Sequence, residues 1–346
     1  SVSKTGALRQ LFSNWTCYIH SVMEYKKHPN KFTKRPNLPK YICRKSEFNL
    51  VQIDNTRFRS RGCNKNEIRL PNSNVKIRIP DKIERDSIRE ITIKYYHGKV
   101  KIGIVFDETL EKIKYDRNAT LSVGVDIGLN NLMAITSNDK SFSYVVNGRP
   151  LKSINQFYNK QKSLMRSNLD KYNKRSKTSK RLKKLEIKRT EKISHYLHCV
   201  SKQMIELCVS HGVSKIIIGH NKSWKQNINL GKQTNQNFVS VPFNRLISQI
   251  VDKARKYEGL EVKIVEESYT SKTDHLSLEE MTHQDCPKGK RIKRGLFKSS
   301  CGKVINADIN GAIGILRKGK AITDEQLMFL RDRGDVVSPK VFKLNL

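Results

Sequence analysis

Three kinds of acid position in the chain could do chemistry. Asp126 lies in Val123-Gly124-Val125-Asp126-Ile127-Gly128. A carboxylate inside an apolar run is costly to bury unless it opens on a cleft and meets a cation. Gly124 and Gly128 would let a bulky backbone, such as a nucleic-acid strand, come close. The plainer alternative is an acid at a strand end or edge. Asp308 lies in Asn306-Ala307-Asp308-Ile309-Asn310-Gly311-Ala312. Capping and the helix dipole alone favour Asp in a first turn, but Ala307, Gly311 and Ala312 predict a helix packed tightly on a sheet. Phosphodiester hydrolysis with two divalent cations needs roughly three or four carboxylates around ions about 4 Å apart, so a third acid is required. The apolar run Ile216-Ile217-Ile218 ends in Gly219-His220-Asn221 without one. The next run ends in Glu266-Glu267, and that pair offers a carboxylate from a shifted position.

These acids need a scaffold. Leu121 to Ile127, Leu132 to Thr136 and Phe142 to Val146 are short apolar runs joined by tight turns, which predicts a β-meander. A long helical region follows over 152–211, then a buried strand at 215–219, a helix at 242–257, a strand at 261–266, an irregular basic stretch at 270–302 and a short helix at 306–318. This order is that of an α/β RNase H-like fold. Before it, residues 1–28 read as a helix with Trp15, Tyr18 and Tyr25. A proline-punctuated connector runs from His28-Pro29 through Arg35-Pro36 to Leu38-Pro39-Lys40, too rich in Pro for regular structure. Over 41–118, Val75, Ile77 and Ile79 alternate with Lys76 and Arg78. Ile91, Ile93 and Tyr95 alternate in the same way, and after His97-Gly98 so do Val100, Ile102, Ile104 and Phe106. That period predicts antiparallel strands in a barrel or sandwich.

The 346 residues carry 68 Lys and Arg against 32 Asp and Glu, a net charge of +36. Such a chain repels itself unless a polyanion neutralises it, and its spread of cations fits a long phosphate surface. Composition alone weighs a structural nucleic-acid binder equally with an enzyme. Residues 152–192 hold fifteen Lys or Arg and three acids. A solvated helix would mix signs, so these helices are expected to face nucleic acid, with Lys152, Lys180, Arg181, Lys183 and Lys184 as contacts. The seven cysteines include no CxxC, which argues against a disulfide framework and for a reducing, intracellular setting: cytoplasm or nucleoid, or the nucleus for a eukaryotic or viral source. No run suits a membrane span and no signal peptide is evident. The chain starts at Ser1 without Met, so a preceding portion is an open expectation.

Taken together, the stretches Lys31-Phe32, Arg35-Pro36, Leu38-Pro39-Lys40-Tyr41, Gly124-Val125-Asp126-Ile127-Gly128, Gly148-Arg149-Pro150-Leu151-Lys152, Trp224-Lys225-Gln226, Gln236-Asn237-Phe238, Glu267-Ser268-Tyr269-Thr270-Ser271-Lys272 and Asn306 to Ala312 resemble the TnpB (OrfB) family. These are transposon-encoded RNA-guided nucleases, with Fanzor proteins and the type V CRISPR effectors as relatives. The resemblance implies a RuvC site with Asp126 and Asp308 as its first and third acids. It places the usual middle Glu at Gly219, so the chain resembles the subgroup in which that Glu has moved to the strand before the Thr-Ser-Lys element. Glu267 is then the catalytic and metal-binding acid and Glu266 the fallback. Lys225 joins the nucleic-acid contacts. The cofactor implied is Mg²⁺ in a two-metal site. The usual pair of Cys pairs is reduced to Cys286 and Cys301, with Thr273-Asp274-His275 in place of the first. His275 and His283 could complete a site, but their irregular spacing argues against zinc.

The resemblance also divides the chain. It implies a helical recognition-type segment at 1–28 and a wedge-like β domain with its Pro-rich connector at 29–118. The RuvC domain occupies 119–269, with long basic helices at 152–211. A degenerate zinc-finger-like insertion that binds target nucleic acid follows at 270–302, and 303–346 completes the RuvC domain. The expected activity is RNA-guided, Mg-dependent cleavage of double-stranded DNA beside a short flanking motif, with an omega-type guide RNA as partner. The alternatives are a nuclease-dead RNA-guided binder and a strand-joining transposase.

Overall fold

The computed structural model describes residues 2–40, 50–54, 64, 66–71, 73–96, 99–108, 111–139, 142–172, 178–221, 236, 240–282, 286–293 and 295–345, with the side chains of 2–5, 50, 96 and 99 left aside. The His97-Gly98 turn, Lys174, Arg175, Lys177, Trp224-Lys225-Gln226, Asn237-Phe238 and His283 lie outside the described residues. The chain divides into two compact units, Ser1–Leu110 and Glu111–Leu346.

The first unit opens with α1 (Val2–Lys27) and a single tight turn at Pro29–Lys31. Its strands are β1 (Leu50–Asp54), β2 (Glu67–Arg69), β3 (Lys76–Arg78), β4 (Ile88–Tyr96) and β5 (Lys99–Phe106). β1, β4 and β5 form an antiparallel sheet in that order, and β2 pairs with β3. The period-two reading holds at β3, where Ile77 is buried between exposed Lys76 and Arg78. Ile77 joins Ile68, Ile79, Ile88 and Ile91 in a small core.

The second unit carries β6 (Asn118–Ile127), β7 (Asn131–Ser137), β8 (Ser143–Asn147), α2 (Arg149–Tyr172), α3 (Lys180–Ser210), β9 (Val213–Gly219), α4 (Phe243–Ala254), β10 (Glu261–Val265), β11 (Lys290–Lys293), β12 (Leu296–Lys298), β13 (Val304–Asn306), α5 (Ala307–Lys318), α6 (Asp324–Leu330), α7 (Gly334–Val337) and β14 (Lys340–Val341). Residues 111–118 belong to this unit. The Ile113 N–H donates to the Lys256 carbonyl at 2.8 Å, and the Tyr115 hydroxyl donates to the Val213 carbonyl at 2.6 Å.

Six strands form one mixed sheet in the order β10-β9-β6-β7-β8-β14. β6 runs parallel to β9 and antiparallel to β7, and β9 runs parallel to β10. Helices cover both faces, so the central strands are apolar on both sides. The β6 pleat shows why. Val123, Val125 and Ile127 join a core with Leu197, Val200 and Met204 of α3 and with Leu246 and Ile250 of α4. Gly124 and Asp126 turn the other way, toward α5. α3 has two halves. Ser179 caps its start by accepting from the Leu182 N–H at 3.2 Å, the basic part follows, and the apolar stripe from Ile193 to Cys208 packs on the sheet.

Candidate functional site

Asp126 sits at the end of the central strand, opposite Ala134 of β7. Its carboxylate faces α5, and the helix comes this close because of two glycines. A Cβ on Gly124 would lie 2.2 Å from the Ala312 carbonyl, and one on Gly311 would lie 2.8 Å from Asp126 Oδ2. Asn306 caps α5, its side-chain oxygen accepting from the N–H groups of Asp308 at 3.0 Å and Ile309 at 3.2 Å. Capping is therefore done by Asn306, and the Asp308 carboxylate is directed elsewhere. Its Oδ2 accepts from Asn131 Nδ2 at 2.7 Å, linking the helix start to the β6–β7 turn.

Glu267 lies two residues beyond β10. Its carbonyl accepts from the Thr270 N–H at 3.2 Å and the Thr270 hydroxyl at 2.8 Å, which closes a tight turn just after it. Asn221, past the end of the neighbouring β9, accepts from the Glu267 N–H at 3.1 Å and places Nδ2 3.5 Å from Glu267 Oε1. Glu267 Oε2 is buried and, among the described residues, has no hydrogen-bond partner. A Cβ on Gly219 would come within 3.2 Å of that oxygen and 2.5 Å of Ile315 Cδ1. The room that an acid at 219 would need is filled by Glu267 and Ile315. Glu266, by contrast, is exposed and accepts from the Ser268 hydroxyl at 2.8 Å.

Burial, with Glu267 and Asp308 adding negative charge, pushes the Asp126 carboxyl up to about 8; Arg291 and the Ile127 N–H oppose the rise. Burial likewise pushes Glu267 up to about 7, with Lys318 opposing. Two acids thus sit where their charge is not matched. They do not close into a ready cage: among the described residues, no three His, Cys, Asp or Glu side chains converge as a metal-holding group.

The stretch at 270–302 is built around a buried acid. Burial alone would raise the Asp274 carboxyl, but donors from Ser299 and Ser300 hold it below its ordinary value. Ser299 Oγ reaches Asp274 at 2.7 Å, and the Ser300 N–H reaches it at 2.6 Å. Both nitrogens of buried His275 are engaged, Nε2 with the Thr270 carbonyl at 2.7 Å and Nδ1 with Arg317 at 3.0 Å. Burial, with Arg317 adding to it, pushes the imidazole down to about 4. Cys286 and Cys301 are exposed free thiols.

Of the expected nucleic-acid contacts, Lys180, Arg181 and Lys184 are exposed along the first turns of α3, and Lys183 is half-buried. Lys152 is half-buried and donates to Asn130, and Lys225 lies outside the described residues. Arg189 of the same basic run is committed inward, donating to Asn155 at 2.7 Å and to the Ser240 carbonyl at 3.1 Å. Sequence reasoning passed over Asn131 and Asn221. The only signal available was that each follows shortly after an apolar run, Asn131 after the one that ends in Asp126-Ile127 and Asn221 after Ile216-Ile217-Ile218. No described helix is long and apolar enough to cross a membrane.

The family model OrfB_IS605, described as "Probable transposase", matches residues 106–225. The model of the Cas12f1-like TNB domain matches residues 243–315. No curated protein matches the chain. Among solved structures, a cryo-EM structure of a Cas12f1–sgRNA–target DNA complex aligns with a TM-score of 0.51 and 16% identity, over 88% of this chain and 70% of that one. A cryo-EM structure of a CRISPR-Cas12f ternary complex aligns with a TM-score of 0.42 and 17% identity, over 66% of this chain and 45% of that one, so the chain spans under half of its length. The likeness to the Cas12f1 complex is one of fold, and with the mixed sheet and its helices it fits a RuvC-like α/β fold. The first matched segment contains Asp126 and the second contains Glu267 and Asp308, so the chain is similar to the TnpB-like (OrfB) family over the first segment and to the Cas12f1-like TNB domain over the second.

Proposed function

We propose that the protein is an RNA-guided, Mg²⁺-dependent endonuclease that cuts double-stranded DNA beside a short flanking motif through a single RuvC site. The observation that carries this reading is the unpartnered buried Oε2 of Glu267, in a site where the charge of Glu267 also bears on Asp126. A buried anionic oxygen without a donor is costly, and a divalent cation is the partner that chemistry supplies. The donor set fits: hard carboxylate oxygens suit Mg²⁺. Asp126, Glu267 and Asp308 would hold it, with Glu267 as the relocated middle acid of the subgroup that includes Fanzor proteins. Bound in pairs, such ions activate water and stabilise the leaving 3′-oxygen.

The protein's own contribution is placement. β6, the turn after β10 and the start of α5 present the three acids, and the close seat of α5 narrows the space around Asp126. The exposed cations of α3 would hold the phosphate backbone of a guide–target heteroduplex. The first unit, with its Pro-rich connector, would hold the RNA scaffold and flanking duplex, the 270–302 insertion would touch target nucleic acid without zinc, and 303–346 would complete the RuvC domain. Sequence would be read by pairing with an omega-type guide, since the amino-acid sequence shows no helix-turn-helix or zinc-finger spacing and no aromatic-rich RNA-recognition signature.

The test is reconstitution. Protein, Mg²⁺ and matched RNA should cut a target beside the right motif, and scrambled RNA should not. Site-specific cutting by RNA-free protein would refute guidance. Guided binding without any cutting would leave a nuclease-dead binder, and a strand-transfer product would indicate a transposase.

A further inference from the structure

Each acid contributed from outside the central strand is held by an asparagine from the end of a neighbouring strand. Asn131, first residue of β7, donates through Nδ2 to Asp308 Oδ2 at 2.7 Å, across 177 residues of chain. Asn221, two residues past β9, accepts from the Glu267 N–H at 3.1 Å and sets its Nδ2 3.5 Å from Oε1. In Glu267 this occupies one carboxylate oxygen and leaves Oε2 bare. Neither amide is needed to build its own turn. The β6–β7 turn is already closed by the Gly128 N–H on the Leu132 carbonyl at 3.2 Å, and Asn131 is set in the sheet by its pairing with Asn147 of β8. The end of β9 is fixed by the His220 N–H on the Val265 carbonyl at 2.9 Å.

We infer that Asn131 and Asn221 are positioning residues. Each fixes the rotation of one acid by engaging one of its oxygens, so that the other oxygen is presented to a divalent cation. The inference rests on the cation-dependent reading above and deepens it. Side chains that orient metal ligands from behind commonly change cation affinity by about 10–100-fold when removed. An amide suits the task because it adds no charge of its own to a site where carboxylates already repel one another. Asp at either position would add a further negative charge beside the acids.

The experiment is titration of the full-length, nucleic-acid-free protein with Mn²⁺, followed by calorimetry and by the shift in thermal unfolding. The parent is compared with Asn131→Ala, Asn221→Ala, the shape-preserving Asn131→Leu and Asn221→Leu, and a variant with Asp126, Glu267 and Asp308 all changed to Ala. The parent should show a binding event that the triple variant lacks. Each asparagine variant should bind Mn²⁺ about 10–100-fold more weakly, with its cation-free unfolding midpoint unmoved. Parent-like Mn²⁺ affinity in folded Leu variants would overturn the assignment. So would a loss of affinity confined to Ala variants whose cation-free midpoint has fallen, since that pattern belongs to packing. If the triple variant binds Mn²⁺ as the parent does, the cation site itself is wrong and the asparagine roles fall with it.

Discussion

Replacing Asp126 with Asn should stabilise the cation-free protein at alkaline pH. The carboxyl moves from an ordinary 3.8 to about 8 in the folded chain. Between those values the folded state holds a proton that the unfolded state has released, so stability falls as pH rises from about 4 and levels off above about 8. At about 1.4 kcal/mol per pH unit, the ceiling on the loss is about 6 kcal/mol. Asp126 is partly exposed, and solvent screening trims this to about 2–4 kcal/mol. For a unit of this size, each kcal/mol moves the unfolding midpoint by about 2–4 °C. The parent should therefore lose about 5–15 °C relative to Asp126→Asn between pH 4 and pH 9. Differential scanning calorimetry of both proteins, stripped of nucleic acid and divalent cations, measures it. The comparison cancels the histidine titrations that both proteins share. Midpoints that run parallel across this range would show that the fold does not hold the Asp126 carboxyl above its ordinary value, and the argument for a cation would rest on the Glu267 Oε2 oxygen alone.

Asp126→Ala and Asp308→Ala should each abolish cleavage and leave RNA-dependent DNA binding largely intact, read by parallel cutting and gel-shift assays; unchanged cutting by either would sink the site. Glu267→Gln should be as damaging as loss of either Asp, and Glu266→Gln mild, because Glu266 is exposed while Glu267 Oε2 is buried. The reverse order in the same assay would exchange their roles. Reversing Lys180, Arg181 and Lys184 to Glu should flatten the salt dependence of binding, each lost duplex phosphate contact lowering the log–log slope by about 0.9. An unaltered slope would return α3 to a merely solvated face. Gly124→Ala should unfold or severely destabilise the second unit, since its Cβ would meet a backbone carbonyl at 2.2 Å; a parent-like melting curve would mean that α5 sits farther from β6 than described.

Much of the scaffold was legible because its period is strong. The meander at 121–146, the helix at 242–257 and the helix at 306–318 appear within a few residues of their expected ends. Strand alternation also carried the deeper message that Asp126 faces away from the α3 and α4 core, since Val123, Val125 and Ile127 claim that side. The boundary between the units was less legible. It falls at 110, because Ile113 and Tyr115 bond to residues far along the chain, and no local pattern announces such contacts. Arg189 shows the same limit in the charge count: composition marks it as one more phosphate contact, whereas its donors go to Asn155 and Ser240.

The choice between Glu266 and Glu267 lay beyond periodicity for a definite reason. Alternation of faces holds within a strand, but β10 ends at Val265 and both acids follow it. What turns Glu267 inward is the Thr270 turn that closes on its carbonyl and the amide of Asn221 that meets its N–H. What turns Glu266 outward is the same turn, with Ser268 as its partner. Glycine at 219 completes the arrangement, because any side chain there would meet Ile315 and the Glu267 carboxylate. The lack of a side chain at 219 and the inward turn of Glu267 are thus sterically linked. The motif positions hold the two residues far apart, and only the parallel pairing of β9 with β10, Gly219 opposite Val265, brings them to the same end of the sheet.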